Sequence, residues 1–145
     1  MGRLDSKIAL IAGGGADGPP NAGEKLSIGN GRATAITAAR EGAIVMAADL
    51  NLALAQQTAD AITSEGGKAA AIACDVSRED DCRRAVADTV KQFGGVHLLV
   101  NNVGIAAGGS LLNTTTDQFE KVYAVNLRSH FLMMRYAVPE IIKAG

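Results

Sequence analysis

The stretch that most restricts what this chain can become is Lys7–Ala35, KIALIAGGGADGPPNAGEKLSIGNGRATA. A short apolar run, Ile8-Ala9-Leu10-Ile11-Ala12, leads into a glycine-rich loop, and a helix-like segment resumes at Arg32-Ala33-Thr34-Ala35. Helix N-termini carry unpaired N–H donors and partial positive charge, and glycine removes the side chain that would hold an anion at a distance. Strand, glycine loop and helix in that order therefore present backbone donors to a phosphate. An acid, Asp49, follows Gly31 by eighteen residues (31 to 49), near the roughly twenty expected of a dinucleotide fingerprint.

The rest of the chain repeats the alternation. After the first strand, Ile8–Ala12, a helix is predicted from about Gly31 to Glu41, with Gly42 as its stop. A second strand, Ala43–Ala48, ends at Asp49, and Asn51 is a good N-cap for a helix reaching Glu65 and closed by Gly66-Gly67. The third strand is Ala69–Cys74. Ser77-Arg78-Glu79-Asp80 resembles a capping box for a third helix, with Cys82, Val86, Val90 and Phe93 on one face and Gly94-Gly95 after it. Val96–Val100 is the fourth strand. A last helix is predicted from Thr115–Asp117 to the end, with Phe119, Val122, Tyr123 and Asn126 along one side and a kink at Pro139. The strands are continuously apolar, so both faces of a parallel sheet should be covered, with ligand over the C-terminal strand ends. The fold class is α/β.

Composition narrows the function. The chain has 145 residues, room for one domain. Its net charge of −1 and lack of a basic cluster argue against a nucleic-acid surface. No apolar run has the length of a membrane span and no secretory signal precedes the first strand, so a cytoplasmic protein is expected. Met1-Gly2-Arg3-Leu4-Asp5-Ser6 fits a myristoylation pattern, but a polar lead-in to the first strand is the favoured reading. Cys74 and Cys82 have neither metal nor redox spacing, and no metal site is expected.

Five short motifs, each on its own element, carry a resemblance to the N-terminal half of the short-chain dehydrogenases/reductases. They are the glycine loop, Asp49-Leu50 after strand two, Asp75-Val76 after strand three, Asn101-Asn102-Val103-Gly104 after strand four, and Val125-Asn126-Leu127 in the last helix. The resemblance covers essentially the whole chain and implies a Rossmann-type doubly wound sheet of strand order 3-2-1-4. It also implies NAD, or less readily NADP, as cofactor, and hydride transfer between nicotinamide and a small carbonyl or alcohol substrate. In the family's glycine motif, Ala12-Gly13 matches the start without the usual Thr, and Gly29-Asn30-Gly31 best matches the end. An insertion containing Pro19-Pro20-Asn21 lies between them. The other alignment has Gly14 and Gly18 bracket the phosphate.

The resemblance assigns Asp49, with Leu50 beside it, to the adenosine ribose, where a carboxylate repels a 2′-phosphate. Lys25 and Arg32 keep NADP open, and helix-dipole compensation is the plainer role for Asp49. Asp75 and Val76 are assigned to the adenine, Asp75 alternatively to a helix cap. Asn102, Val103 and Gly104 are assigned to the cofactor ribose, and catalytic Asn126 to a water in a proton relay. His97, where the family usually has Asp, is read as a strand-end residue.

The family's Ser and Tyr-x-x-x-Lys are not found. Tyr123 and Tyr136 are followed four positions on by Leu127 and Glu140. Residues 1–145 thus read as a cofactor-binding domain incomplete at its C-terminus, from an enzyme expected to be a homodimer or homotetramer. The alternative is a non-catalytic dinucleotide-binding module or an inactive remnant.

Overall fold

A computed structural model describes residues 2–18, 23 and 26–145. Four strands, β1 (Ile8–Ala12), β2 (Ile44–Asp49), β3 (Lys68–Ala73) and β4 (Leu98–Asn101), form one parallel sheet in the order β3-β2-β1-β4. Helices α1 (Asn30–Arg40), α2 (Leu52–Ser64) and α3 (Glu79–Phe93) cross between successive strands. After β4 come α4 (Thr116–Tyr123), a π-helical turn (Ala124–Arg128) and α5 (Ser129–Ala144). The Rossmann-type α/β fold and its strand order are those the sequence led us to expect. No helix among the described residues is long and apolar enough to cross a membrane.

Alternation along the central strands divides the core between the two faces of the sheet. Leu10, Ala12, Met46 and Ala48 pack with Cys82, Val86, Leu132 and Met133 of α3 and α5. On the other face, Ala9, Ile11 and Val45 pack with Ala35 of α1 and Ile62 of α2. Full cover on both faces holds for β1 and most of β2. It does not hold for β3 and β4, half-exposed along most or all of their length because they are the sheet edges.

Local signals explain most boundaries. Asn51 Oδ1 accepts from Ala53 N–H at 3.0 Å and starts α2, while Gly42 (φ +95°), Gly66 (+84°) and Gly94 (+97°) end the three crossover helices in the left-handed conformation. Residues 2–6 lie against the end of α1, with Leu4 N–H on Glu41 O at 2.8 Å and Ser6 N–H on Gly42 O at 3.2 Å. They serve as a structural lead-in to β1.

Two expectations are corrected. The capping box at 77–80 does not form, because Ser77 gives both N–H (2.9 Å) and Oγ–H (2.6 Å) to Asp75 Oδ1; α3 starts after Arg78, and Glu79, Asp80 and Asp81 answer its dipole instead. Pro139 lies inside α5, which runs without interruption from Ser129 to Ala144. The irregularity is the π turn at Ala124–Arg128, and Phe119 and Tyr123 do not share a side with Val122: both rings are exposed, whereas Val122 faces the cleft described below.

Before β4, Val96 is fully buried and the next side chain, His97, accepts the Ile8 N–H at Nδ1 over 3.1 Å. His97 thus pins the start of β1. Replacing it with Ala should leave that buried N–H without its partner and cost about 1–3 kcal/mol, read as a lower urea midpoint at unchanged m-value. An unchanged midpoint would show the bond to be dispensable.

Candidate functional site

A cleft of about 1050 Å³ opens across the C-terminal strand ends. Its location follows from the strand order: from β1 the chain winds outward to β2 and β3, then returns to place β4 on the other side, so the loops after β1 and β4 diverge. Gly13 and Gly15 enter from the β1 loop, Gly29, Asn30 and Gly31 from the start of α1, and Asp49 and Leu50 from the end of β2. Asp75 and Val76 follow β3, and Asn102, Val103 and Gly104 follow β4. The eleven residues assigned to cofactor from the sequence therefore lie on one surface. Pro19-Pro20-Asn21 and Lys25 lie outside the described residues.

Close backbone approach builds the floor. Gly13 has φ +78°, and Gly13 N–H and Gly14 N–H both donate to Ala48 O, at 2.8 and 2.9 Å. A Cβ on Gly31 would collide with the Gly13 carbonyl oxygen and lie 2.8 Å from Asn102 Nδ2. Only glycine lets α1 come this near to β1. Asn102 closes the contact from β4, with its N–H on Ala12 O at 2.9 Å and Nδ2 on Gly13 O at 3.3 Å. Gly14 turns away and packs on Ala47, and Gly18 has open space around it. Of the two glycine assignments, Gly29-Asn30-Gly31 is the one at the helix start.

The chemistry of that start suits an anion. Gly29 is the N-cap, no side chain caps α1 among the described residues, and its first turn carries no acid. The first intrahelical bond is Ala33 N–H to Gly29 O, so the N–H groups of Asn30, Gly31 and Arg32 have no partner within the helix. Across the loop, Asp49 Oδ2 accepts from Gly15 N–H at 2.9 Å and Oδ1 from Asn51 N–H at 3.0 Å. This holds a carboxylate at the cleft edge. Donors at a helix N-terminus, glycines where a Cβ would intrude, and an acceptor carboxylate fit a dinucleotide.

Other side chains behave differently from the sequence reading. Asn126 does not line the cleft. Its Oδ1 accepts from Ile105 N–H and its Nδ2 donates to Ile105 O, both at 2.8 Å, so both ends of the amide are engaged with the loop after β4. Arg32 is fully buried and points away from the cleft to α2, so it cannot meet a ribose phosphate. Lys121 and Arg128 line the opposite wall with Val122 and Val125, and Arg128 also donates to Ser77 O at 3.1 Å. The sequence signal for them was their helical spacing from Val122 and Val125. Cys74 reaches the cleft, but a hydrogen-bonded contact with Cys82, and then burial, push its thiol well above the ordinary range. It is no nucleophile. Among the described residues, no group of three or more His, Cys, Asp or Glu side chains could hold a metal.

The paired bonds of Asn126 give a direct test. Asn126→Ala should raise hydrogen exchange at the Ile105 amide about tenfold while α2 amides keep their rates. Equal exchange in the two proteins would show the loop to be held by something else.

Comparison with known proteins agrees with this geometry. Residues 23–145 match the family model described as enoyl-(acyl carrier protein) reductase. Among curated proteins, the chain is 35% identical over 144 residues to cyclohexanol dehydrogenase of Acinetobacter sp. strain SE19, covering 99% of this chain and 53% of that one. It is 33% identical to 7alpha-hydroxysteroid dehydrogenase of Escherichia coli K12, covering 99% and 51%. A Burkholderia xenovorans structure described as a short-chain dehydrogenase/reductase superposes with a TM-score of 0.90 at 37% identity, covering 100% of this chain and 55% of that one. Hydroxysteroid dehydrogenase from Escherichia coli gives 0.86 at 33%, covering 99% and 55%. The chain spans about half the length of the curated relatives it matches. With the family model matched over most of its length, the chain belongs to the short-chain dehydrogenase/reductase family.

Proposed function

We propose that residues 1–145 form the cofactor-binding domain of an NAD-dependent oxidoreductase acting on a small carbonyl or alcohol substrate. The observation that carries this reading is the uncapped start of α1 facing the same cleft as the Asp49 carboxylate. Bound there, the nicotinamide would supply the hydride acceptor or donor. The chain's own residues bind and orient. Asn30, Gly31 and Arg32 offer backbone N–H groups to the pyrophosphate, and Asp49 accepts from the adenosine ribose hydroxyls. Asp75 has Oδ1 taken by Ser77, which leaves Oδ2 for the adenine amino group, with Val76 against the ring. Asn102, Val103 and Gly104 line the ribose on the β4 side.

Asn126 acts by position, because its amide already holds Ile105. Its part in a proton relay belongs to the same proposal, and it sits in the turn where pairing passes from i+4 to i+5. Neither Tyr123 nor Tyr136 has a lysine four residues on, so the acid/base pair comes from outside residues 1–145. The competing reading, a non-catalytic dinucleotide-binding module, shares the site and differs only in lacking turnover.

Pairing into a homodimer or homotetramer belongs to the same proposal. Its support is the run of exposed apolar side chains along α4 and α5: Phe119, Tyr123, Leu127, Phe131, Met134 and Val138. A cytoplasmic location belongs to the same proposal, supported by a chain with only two cysteines, at a spacing that suggests no disulfide framework.

NADH binding, followed by its fluorescence, tests the cofactor reading. NADPH is expected to bind at least about tenfold more weakly, the effect of one unfavourable charge pair at close range, and Asp49→Asn should close most of that gap. Equal affinity for the two cofactors in the unchanged chain would contradict the role given to Asp49.

A further inference from the structure

Arg32 occupies a position that ordinary helix energetics disfavour. It lies in the first turn of α1, where the macrodipole is already positive, and it is completely enclosed. Enclosing a guanidinium is costly unless its donors are matched. Here they are matched by neutral groups. Nε donates to Thr58 Oγ1 at 2.9 Å, one terminal nitrogen to Ser27 O at 2.5 Å, and the other to Leu54 O at 3.0 Å and Gln57 Oε1 at 3.1 Å. Burial draws its pKa below the usual value and the charge of Asp49 opposes that, yet an arginine stays protonated. No carboxylate is bonded to it among the described residues.

The acceptors lie on the two ends of the loop that leads into α1. Ser27 is at its far end. Thr58 passes the connection to its near end, donating Oγ–H to Gly14 O at 2.7 Å. One buried side chain therefore ties both ends of the loop to α2, and leaves a desolvated positive charge behind the helix start that faces the cleft.

We propose that Arg32 is a positioning residue for the pyrophosphate: its side chain never touches the cofactor, but holds the two ends of the loop and adds a buried positive charge beside the first turn of α1. The inference rests on the cofactor reading above. Its distinctive consequence is selectivity by ligand fragment. A merely structural arginine would affect every ligand of the cleft alike, whereas this one should matter for ligands that carry the diphosphate.

The experiment titrates the full chain with NADH and measures displacement by ADP and by adenosine. Arg32→Met should weaken NADH and ADP about tenfold and leave adenosine within about twofold, because the loop ends that it ties and the weakly screened charge that it buries bear on the diphosphate and not on the nucleoside. Arg32→Lys, which keeps the charge but not the fork, should recover part of the loss. Equal weakening for NADH, ADP and adenosine, or no change for any of them, overturns the proposal. If Arg32→Met gives no cooperative melting transition, Arg32→Lys and Thr58→Val decide. Both keep the charge and cut part of the tether, so both should weaken NADH and ADP several-fold with adenosine unmoved. Unchanged NADH affinity in both overturns it. If the unchanged chain binds none of the three, the cofactor reading itself fails and this inference falls with it.

Discussion

The contact on which the structure depends is the one between Gly31 and the carbonyl of Gly13. Because neither residue has a side chain, the first turn of α1 can rest on the end of β1, and Asn102 reaches across from β4 to bond the same carbonyl. The helix start is thereby held over the central strands, at the place where β1 parts from β4. Had α1 been displaced outward by one methyl group, its free N–H groups would face solvent rather than the cleft. The register of Ala12 against both Ala48 and Asn101 brings the loops that carry Asp49 and Asn102 to the same level.

Electrostatics around that contact run against the pattern of the other helices. Asn51 caps α2, three acids occupy the first turn of α3, and Thr115 with Gln118 forms a full capping box on α4. In each case a local acceptor or negative charge answers the dipole. At α1 there is neither among the described residues, and an enclosed arginine adds to the positive end. Local rules are broken in proteins mainly where function requires it. On the cofactor reading proposed above, the missing acceptor would be the phosphate of a dinucleotide.

Much of this was legible before any coordinates. Continuous apolar strands alternating with amphipathic helices specify a parallel sheet, and the glycine loop, Asp49, Asp75 and Asn102 each fall at a strand's C-terminal end. What stayed hidden depends on where long or bifunctional side chains go. Arg32 looked available to a 2′-phosphate because of its place in sequence, but its guanidinium is held by Leu54, Gln57 and Thr58 of α2 and by the Ser27 carbonyl, acceptors that no local pattern announces. Ser77 had the spacing of a helix cap and gave its hydroxyl to Asp75 instead. Asn126 was assigned from the resemblance to a proton relay, whereas the partner of its amide, Ile105, lies across a loop that periodicity does not describe. The π turn around Asn126 has no signal in the periodicity of the segment.

The central claim is that the cleft over the strand ends holds a dinucleotide along a defined track. Amide chemical shifts of the isotope-labelled full chain, recorded with and without NADH, test it most directly. The account predicts that the shifted amides cluster at Gly13–Gly15, Asn30–Arg32, Asp49–Leu50, Asp75–Val76 and Asn102–Gly104, with α5 and the strand N-termini unmoved. Shifts confined to other surfaces, or none at saturating NADH, would contradict it.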